Sequence, residues 1–196
     1  MKPILAAILS VSGTVLTDEE KRLFETFNPL GVALFKRNLC SKEQILTLTN
    51  EIKETIGRED VLIALDEEGG RVNRLLSAGF NKYASQSLLA KIGKKNIVKA
   101  HAELISADMK SVGANLNFAP VLDLDYPDTT AALKSRTFSC LPQEVADYGK
   151  ILWQTYKKNG ICPCIKHLPG HGRAATDPHL HLPIIPFSAK KNASGF

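Results

Sequence analysis

The sequence predicts an α/β fold of parallel strands, a TIM (β/α)8-type barrel that is incomplete, with about the first five β/α units encoded. Short apolar runs alternate with amphipathic helical stretches and no hairpin signal separates them, which demands parallel strands joined by helical crossovers. Charged residues collect at the carboxyl ends of those runs, where a barrel places its functional groups. No G-x-G-x-x-G follows the first run, so a dinucleotide-binding sheet is disfavoured.

The first run, Ile4 to Val11, reads as a buried strand closed by Ser12 and Gly13. Because Lys2 precedes it, a short signal peptide is the competing reading, weakened by the shortness of the apolar stretch. Thr17-Asp-Glu-Glu20 has the form of a capping box and starts a helix over about Asp18 to Phe27. Gly31 to Phe35 suits a second strand. Ser41 restarts a helical pattern, with Ile45, Leu48 and Ile52 on one face and Gly57 as its stop.

Val61 to Leu65 is a third strand that runs into Asp66-Glu-Glu-Gly-Gly70 and Arg71. One long helical region is expected from about Ser85 to Val112, then a fourth strand over Asn115 to Asp123 and a helix from Pro142 to Lys158. Ile161 to Ile165 is the fifth strand, followed at once by Lys166 and His167.

Composition narrows the class. With 196 residues, 44% hydrophobic and 23% charged, the chain is globular, and nothing approaches the roughly 20 apolar residues of a membrane span. The net charge of +5 is scattered, with no basic run interleaved with aromatics, so nucleic acid is not an expected partner. Cys40, Cys140, Cys162 and Cys164 form neither a disulfide framework nor paired C-x-x-C ligand sets. They read as core thiols of a cytoplasmic protein.

In a parallel barrel every strand delivers its last residue to one face, so Asp66, Asp123, Lys166 and His167 converge. His167, His171, His179 and His181 fall in one short segment with Asp177. Two chemistries compete for this cluster. Several imidazoles and a carboxylate would suit zinc, although the spacing matches neither H-E-x-x-H nor a zinc finger. In the other, Asp177 orients His179 two positions on and raises its proton affinity, making it a general acid/base. Against these stand plainer readings: Asp66 and Arg74 as a surface ion pair, Arg136 as a solvated loop residue, His171 as a loop-shaping residue and His101 as a structural histidine within a helix.

Asp66-Glu-Glu-Gly-Gly-Arg71, Phe118-Ala-Pro-Val-Leu-Asp123, Arg136-Thr-Phe138, Lys166-His-Leu-Pro-Gly-His-Gly172, Asp177-Pro-His179 and Leu182-Pro183 follow one another in order. Together they resemble glycoside hydrolase family 3, in its NagZ-type β-N-acetylhexosaminidase branch. The resemblance implies a barrel that removes a terminal N-acetylglucosamine, typically from anhydro-muropeptides in peptidoglycan recycling, by a retaining mechanism and without a cofactor. It implies that Asp66, Arg74, Arg136, Lys166 and His167 hold the sugar hydroxyls and N-acetyl group, and that His179 with Asp177 is the acid/base dyad.

The sequence also departs from the family pattern. Pro178 stands between the dyad partners where the family usually has Ser, fixing φ and removing an amide donor. Arg173 follows the His-Gly pair and is expected to place a cation near the imidazole. Residues 1–183 form the family-like part and 184–196 a tail without a match, so the nucleophilic Asp that retention needs is not expected in this chain. Two readings follow beside the enzyme: a catalytically inactive remnant that binds sugar or needs a separate C-terminal piece, and a His-cluster metal-binding protein. Unpaired sheet edges would further favour self-association.

Overall fold

The structure is a computed structural model that describes residues 2–177 and 179–185. Its strands and helices alternate as β1 (Leu5–Ser10), α1 (Asp18–Phe27), β2 (Pro29–Ala33), α2 (Lys42–Ile56), β3 (Leu62–Leu65), β4 (Glu67–Gly69), β5 (Val72–Asn73), α3 (Gln86–Ile92), α4 (Lys95–Ser111), β6 (Leu116–Asn117), α5 (Pro142–Lys158) and β7 (Cys162–Pro163). The main sheet has the order β1-β2-β3-β6-β7, every pair parallel. This is the arrangement of an incomplete (β/α) barrel: each strand neighbours the next parallel strand in the chain, with helices as the crossovers.

Local chemistry sets the boundaries. The Thr17 hydroxyl accepts from the Glu20 amide at 3.2 Å while the Glu20 carboxylate accepts from the Thr17 amide at 2.8 Å, closing the expected capping box. A second Glu20 oxygen takes the Ser12 amide at 2.7 Å, which ties the end of β1 to the start of α1. Helix α2 begins on the Ser41 hydroxyl and ends at Gly57, and α5 starts with Pro142 in its first turn.

Strand register separates two faces. Ala33, Ala64, Leu116 and Cys162 stand at one level, and Ile8, Gly31 and Leu62 share their face. Val32, Ile63 and Leu65 point the other way, into the main core with Ile45, Leu48, Ile52, Val98, Ile105, Met109 and Tyr156 from the helices. The inner face carries only a small cluster, Ala33, Ala64 and Leu116 with Ile8, Leu62 and Phe118 against it. Gly31 has no room for a side chain, since a Cβ there would meet the Leu62 carbonyl oxygen at 2.3 Å.

Several expectations are corrected. The first strand is half exposed rather than buried, with Ile4 46% and Leu5 41% exposed, because it lies at an outer position of the sheet. The long helix divides into α3 and α4 at Gly93, whose φ of +69° caps α3 in the left-handed region. A hairpin does occur: β4 and β5 pair antiparallel across Gly70 and Arg71. The glycine pair was the missed turn signal. Gly69 sits at φ +85°, where a Cβ would lie 2.2 Å from the Ala84 carbonyl oxygen. The fourth strand is confined to Leu116–Asn117, since Pro120 has no amide for the ladder; pairing resumes only as a bridge from Val121 to Lys166. All four cysteines are exposed rather than core. Cys162 and Cys164 lie in and just after β7, the last strand of the sheet order, where no further strand among the described residues flanks them.

Side-chain amides stitch the strands where ladders are short. The Asn115 amide accepts from the Ile63 amide at 2.8 Å and donates to the Val61 carbonyl at 2.9 Å; Asn117 does the same to both backbone groups of Glu67, at 3.0 and 2.9 Å. Gln86 likewise brackets Val121. Asn117 is fully buried, so Asn117→Ala leaves the Glu67 backbone unpaired in the core. We expect a loss of about 2–4 kcal/mol, read from the urea midpoint at constant m-value.

His101 is buried beneath the hairpin, with its ring edge-on to Tyr83 at a centroid distance of 5.6 Å. Burial pushes its pKa down to about 4, against one hydrogen bond that the ring donates to the Glu68 backbone. The unfolded chain therefore takes up the proton first on acidification. The His101 contribution is intact above about pH 6.5 and drains away as pH falls towards 4, by about 3 kcal/mol. His101→Asn should remove that acid-side slope in equilibrium unfolding measured across the same window.

Candidate functional site

The polar residues at the strand ends do meet. One cavity of about 510 Å³ is lined by Asp66, Glu68, Arg71, Arg74, Arg136, Lys166, His167, His171, Asp177 and His179, with Phe118 and Cys164 among its apolar walls. All seven residues singled out as sugar-binding or acid/base groups line it: Asp66, Arg74, Arg136, Lys166, His167, Asp177 and His179.

Alternation explains the placement. Asp66 follows the outward Leu65 and so turns inward, Glu67 turns outward, and Glu68 turns inward again. Glu68 is 2% exposed and takes three contacts: Arg136 Nε at 2.8 Å, Arg136 Nη2 at 2.9 Å and Lys166 Nζ at 2.5 Å. The paired Arg136 bonds form a bidentate fork that fixes the guanidinium plane. Burial lowers the Arg136 pKa, but its hydrogen bonds and charge interaction with Glu68 outweigh this and raise it. Arg136 is therefore a partly buried, oriented cation and not a solvated loop residue.

Lys166 bridges to Asp66 at 2.8 Å as well, so one ammonium joins the end of β7 to the end of β3. Arg74 stands further off, its Nη2 3.7 Å from Asp66. The Asp66–Arg74 pair is partly buried at 19% and 33% side-chain exposure, which places it on the cavity wall.

His167 donates from Nδ1 to Asp123 at 2.5 Å, and its Nε2 faces Arg136 Nη2 at 3.4 Å. An Arg neighbour supplies only donors, so the proton on Nδ1 and the acceptor at Nε2 are the consistent assignment. The second Asp123 oxygen takes the His171 amide at 2.6 Å. Burial raises the Asp123 pKa, but the His167 bond and the His171 amide overcome it, and the carboxyl lies below its usual range. His171 stacks edge-on against His167 at 6.0 Å and its burial depresses its own proton affinity.

The Asp177–His179 couple forms as the sequence suggested. His179 Nδ1 lies 2.7 Å from Asp177 Oδ1, and the same oxygen accepts the His179 amide at 3.0 Å. Those bonds hold the Asp177 pKa below its ordinary value. With its side chain 81% exposed, His179 stands at the cavity rim. Pro178 lies outside the described residues. Arg173 lies with its guanidinium 4.9 Å above the Tyr126 ring, on the wall of a neighbouring apolar cavity. Among the described residues no group of three or more His, Cys, Asp or Glu is arranged to hold a metal ion.

Sequence reasoning passed over Glu68, the most buried of the acids that line the cavity. Its signal was the spacing: residues two apart on a strand share a face, so Asp66 pointing inward implied that Glu68 does too. Asp123 was recognised as a strand-end carboxylate, but its part as the anchor of His167 needed the geometry. Replacing Glu68 by Ala strands two partly buried cations beside each other. Glu68→Ala should cost about 3 kcal/mol or more in equilibrium unfolding, well beyond the value of an exposed ion pair.

Comparison with known proteins gives a consistent answer. Residues 6–193 match the family described as the glycosyl hydrolase family 3 N-terminal domain. A β-hexosaminidase of Bordetella pertussis is 35% identical over 196 residues, covering 94% of this chain and 54% of the relative. One from Neisseria gonorrhoeae is 36% identical over 188 residues, with 92% and 50% covered. Among solved structures, native NagZ from Neisseria gonorrhoeae superposes with a TM-score of 0.86 at 32% identity, over 96% of this chain and 57% of that one. The chain thus spans about half the length of the curated relatives it matches.

Proposed function

Because the chain belongs to glycosyl hydrolase family 3, we propose that its cavity binds a terminal N-acetylglucosamine and supplies the sugar-binding and acid/base half of a β-N-acetylhexosaminidase site. The observation that carries this reading is the convergence of Asp66, Arg74, Arg136, Lys166 and His167 with the Asp177–His179 couple around one cavity.

Each group has a chemical part. Asp66, held by Lys166, accepts from sugar hydroxyls, while Lys166, Arg136 and Arg74 present fixed N–H donors to hydroxyl and N-acetyl oxygens. A donor network already ordered by Glu68 loses little entropy when sugar arrives. At the rim, His179 gives its Nε2 proton to the departing glycosidic oxygen while Asp177 holds Nδ1, a transfer of the kind worth about 10²–10⁴-fold in rate.

Retention also needs a carboxylate about 5–5.5 Å from the acid/base group, across the sugar. The inward acids Asp66 and Glu68 are engaged by cations, and Asp123 by His167. The proposed natural substrate is an N-acetylglucosaminyl anhydro-muropeptide, and the setting is cytoplasmic peptidoglycan recycling. In the described residues, no helix is long and apolar enough to cross a membrane.

Calorimetric titration of the chain with N-acetylglucosamine tests the binding half. Saturable binding that Lys166→Ala weakens at least tenfold is expected, and a wild-type chain that takes up no sugar would remove the proposal. A chromogenic N-acetylglucosaminide should be hydrolysed no faster by this chain than by the buffer. Robust turnover abolished by replacing an acidic residue of this chain would show that a nucleophile is present after all.

A further inference from the structure

The end of the sheet at β7 carries two thiols separated by one residue. The Cys162 amide donates to the Asn115 carbonyl at 2.7 Å and the Cys164 amide to the Asn117 carbonyl at 2.8 Å, so both positions pair with β6 and the chain between them is extended. Side chains two apart on an extended chain share a face. Cys162 stands level with Leu116, on the face of the small inner cluster, and Cys164 lines the cavity that holds Lys166 and His167. Both thiols are exposed and free.

Pro163 makes the spacing between them rigid. Its ring locks φ, and because the amides on either side turn to β6, its missing N–H falls on the opposite side, where no strand among the described residues pairs. The strand rise then sets the two Cβ atoms about 6.6 Å apart and pointing the same way. A disulfide needs about 3.8 Å between Cβ atoms, so the pair is too wide to close on itself. An ion held between two sulfurs by bonds of about 2.3 Å separates them by roughly 4.6 Å, about 2.5 Å more than an S–S bond does. That increment nearly matches the roughly 2.8 Å by which the strand spacing exceeds disulfide geometry.

We propose that Cys162 and Cys164 form a two-coordinate site for a soft, thiophilic monovalent cation, Cu(I), held between the two sulfurs on the inner face of β7. The ligand set decides the class of ion. Closed zinc sites take four ligands, whereas among the described residues no group of three or more His, Cys, Asp or Glu is arranged to hold a metal ion. Two thiolates by themselves suit a soft ion, and thiolate ligands select Cu(I). Both thiols give up their protons to solvent as the ion binds.

The neighbours on this face supply no competing oxygen. Leu116 and Phe118 are hydrocarbon, and Lys166, two residues beyond Cys164, is a cation engaged by Asp66 and Glu68. A pair already fixed by two ladder bonds and a proline loses little entropy on capturing an ion. The site is independent of what the neighbouring cavity binds.

Anaerobic titration of the whole chain with Cu(I), in competition with the chromogenic chelator bicinchoninate, counts and ranks the sites. One tight site per chain is expected, retained in the double variant Cys40→Ser/Cys140→Ser. Cys162→Ser and Cys164→Ser should each weaken it more than a hundredfold, beyond the roughly 10–100-fold that losing an outer hydrogen-bond partner costs a metal site. Both replacements are nearly the same shape at exposed positions, and an unchanged far-ultraviolet dichroism spectrum checks that the fold is intact. X-ray absorption of the copper-loaded chain should show two sulfur neighbours and no nitrogen or oxygen. A chain that takes up no copper in competition, tight binding that survives either single replacement, or a copper shell containing nitrogen would each reject the site. Zinc held as tightly as Cu(I) through the same two thiols would reject the assignment of a soft monovalent ion.

Discussion

A buried carboxylate that must not be left alone organises this molecule. Glu68 has almost no contact with water, and at that depth an unpaired charge costs several kcal/mol. Arg136 and Lys166 meet the requirement, and they come from distant parts of the chain: the loop before α5 and the end of β7. Satisfying one acid therefore brings three segments to the same place. Lys166 extends the network to Asp66, and Arg136 extends it towards His167 and so to Asp123. The cations that line the cavity are thus held in place by the acid buried behind them.

The backbone supports that network with short strands. β6 and β7 have only two residues each in the ladder, too few to align a site by themselves. Asn115, Asn117 and Gln86 take over by bracketing backbone groups of the neighbouring segments with both ends of their amides. Asn117 and Gln86 act where the chain leaves regular structure, at the hairpin and beside Pro120. Polar side chains here perform the work that longer strands perform elsewhere in the sheet.

Much of this was legible in the sequence. The Thr17 capping box, the α2 stop at Gly57 and the span Pro142–Lys158 were read correctly because local chemistry decides them. The parallel order of the five strands followed from alternation alone, and the convergence of Asp66, Lys166 and His167 followed from the rule that strand ends share a face. What escaped depended on neighbours far along the chain. Glu67 and Glu68 are adjacent and chemically identical, yet the first faces the helices and the second the cavity, and only their spacing from Asp66 separates them. The cysteines were misplaced because burial preference describes a residue type, whereas exposure at Cys162 and Cys164 follows from what lies across the inner face. The break at Gly93 and the turn at Gly70 both fall on glycines in the left-handed region, at φ +69° and +63°.

The inner face of the sheet carries a steric consequence. Gly31, Ala33 and Ala64 leave a shallow trough between the larger flanks of Ile8, Leu62 and Leu116. Interiors pack to a nearly constant density, so a surface of small residues is filled well only by bulky, branched ones opposite. Ala33, Ala64 and Leu116 are already buried there, so added volume at either alanine would have to displace its neighbours.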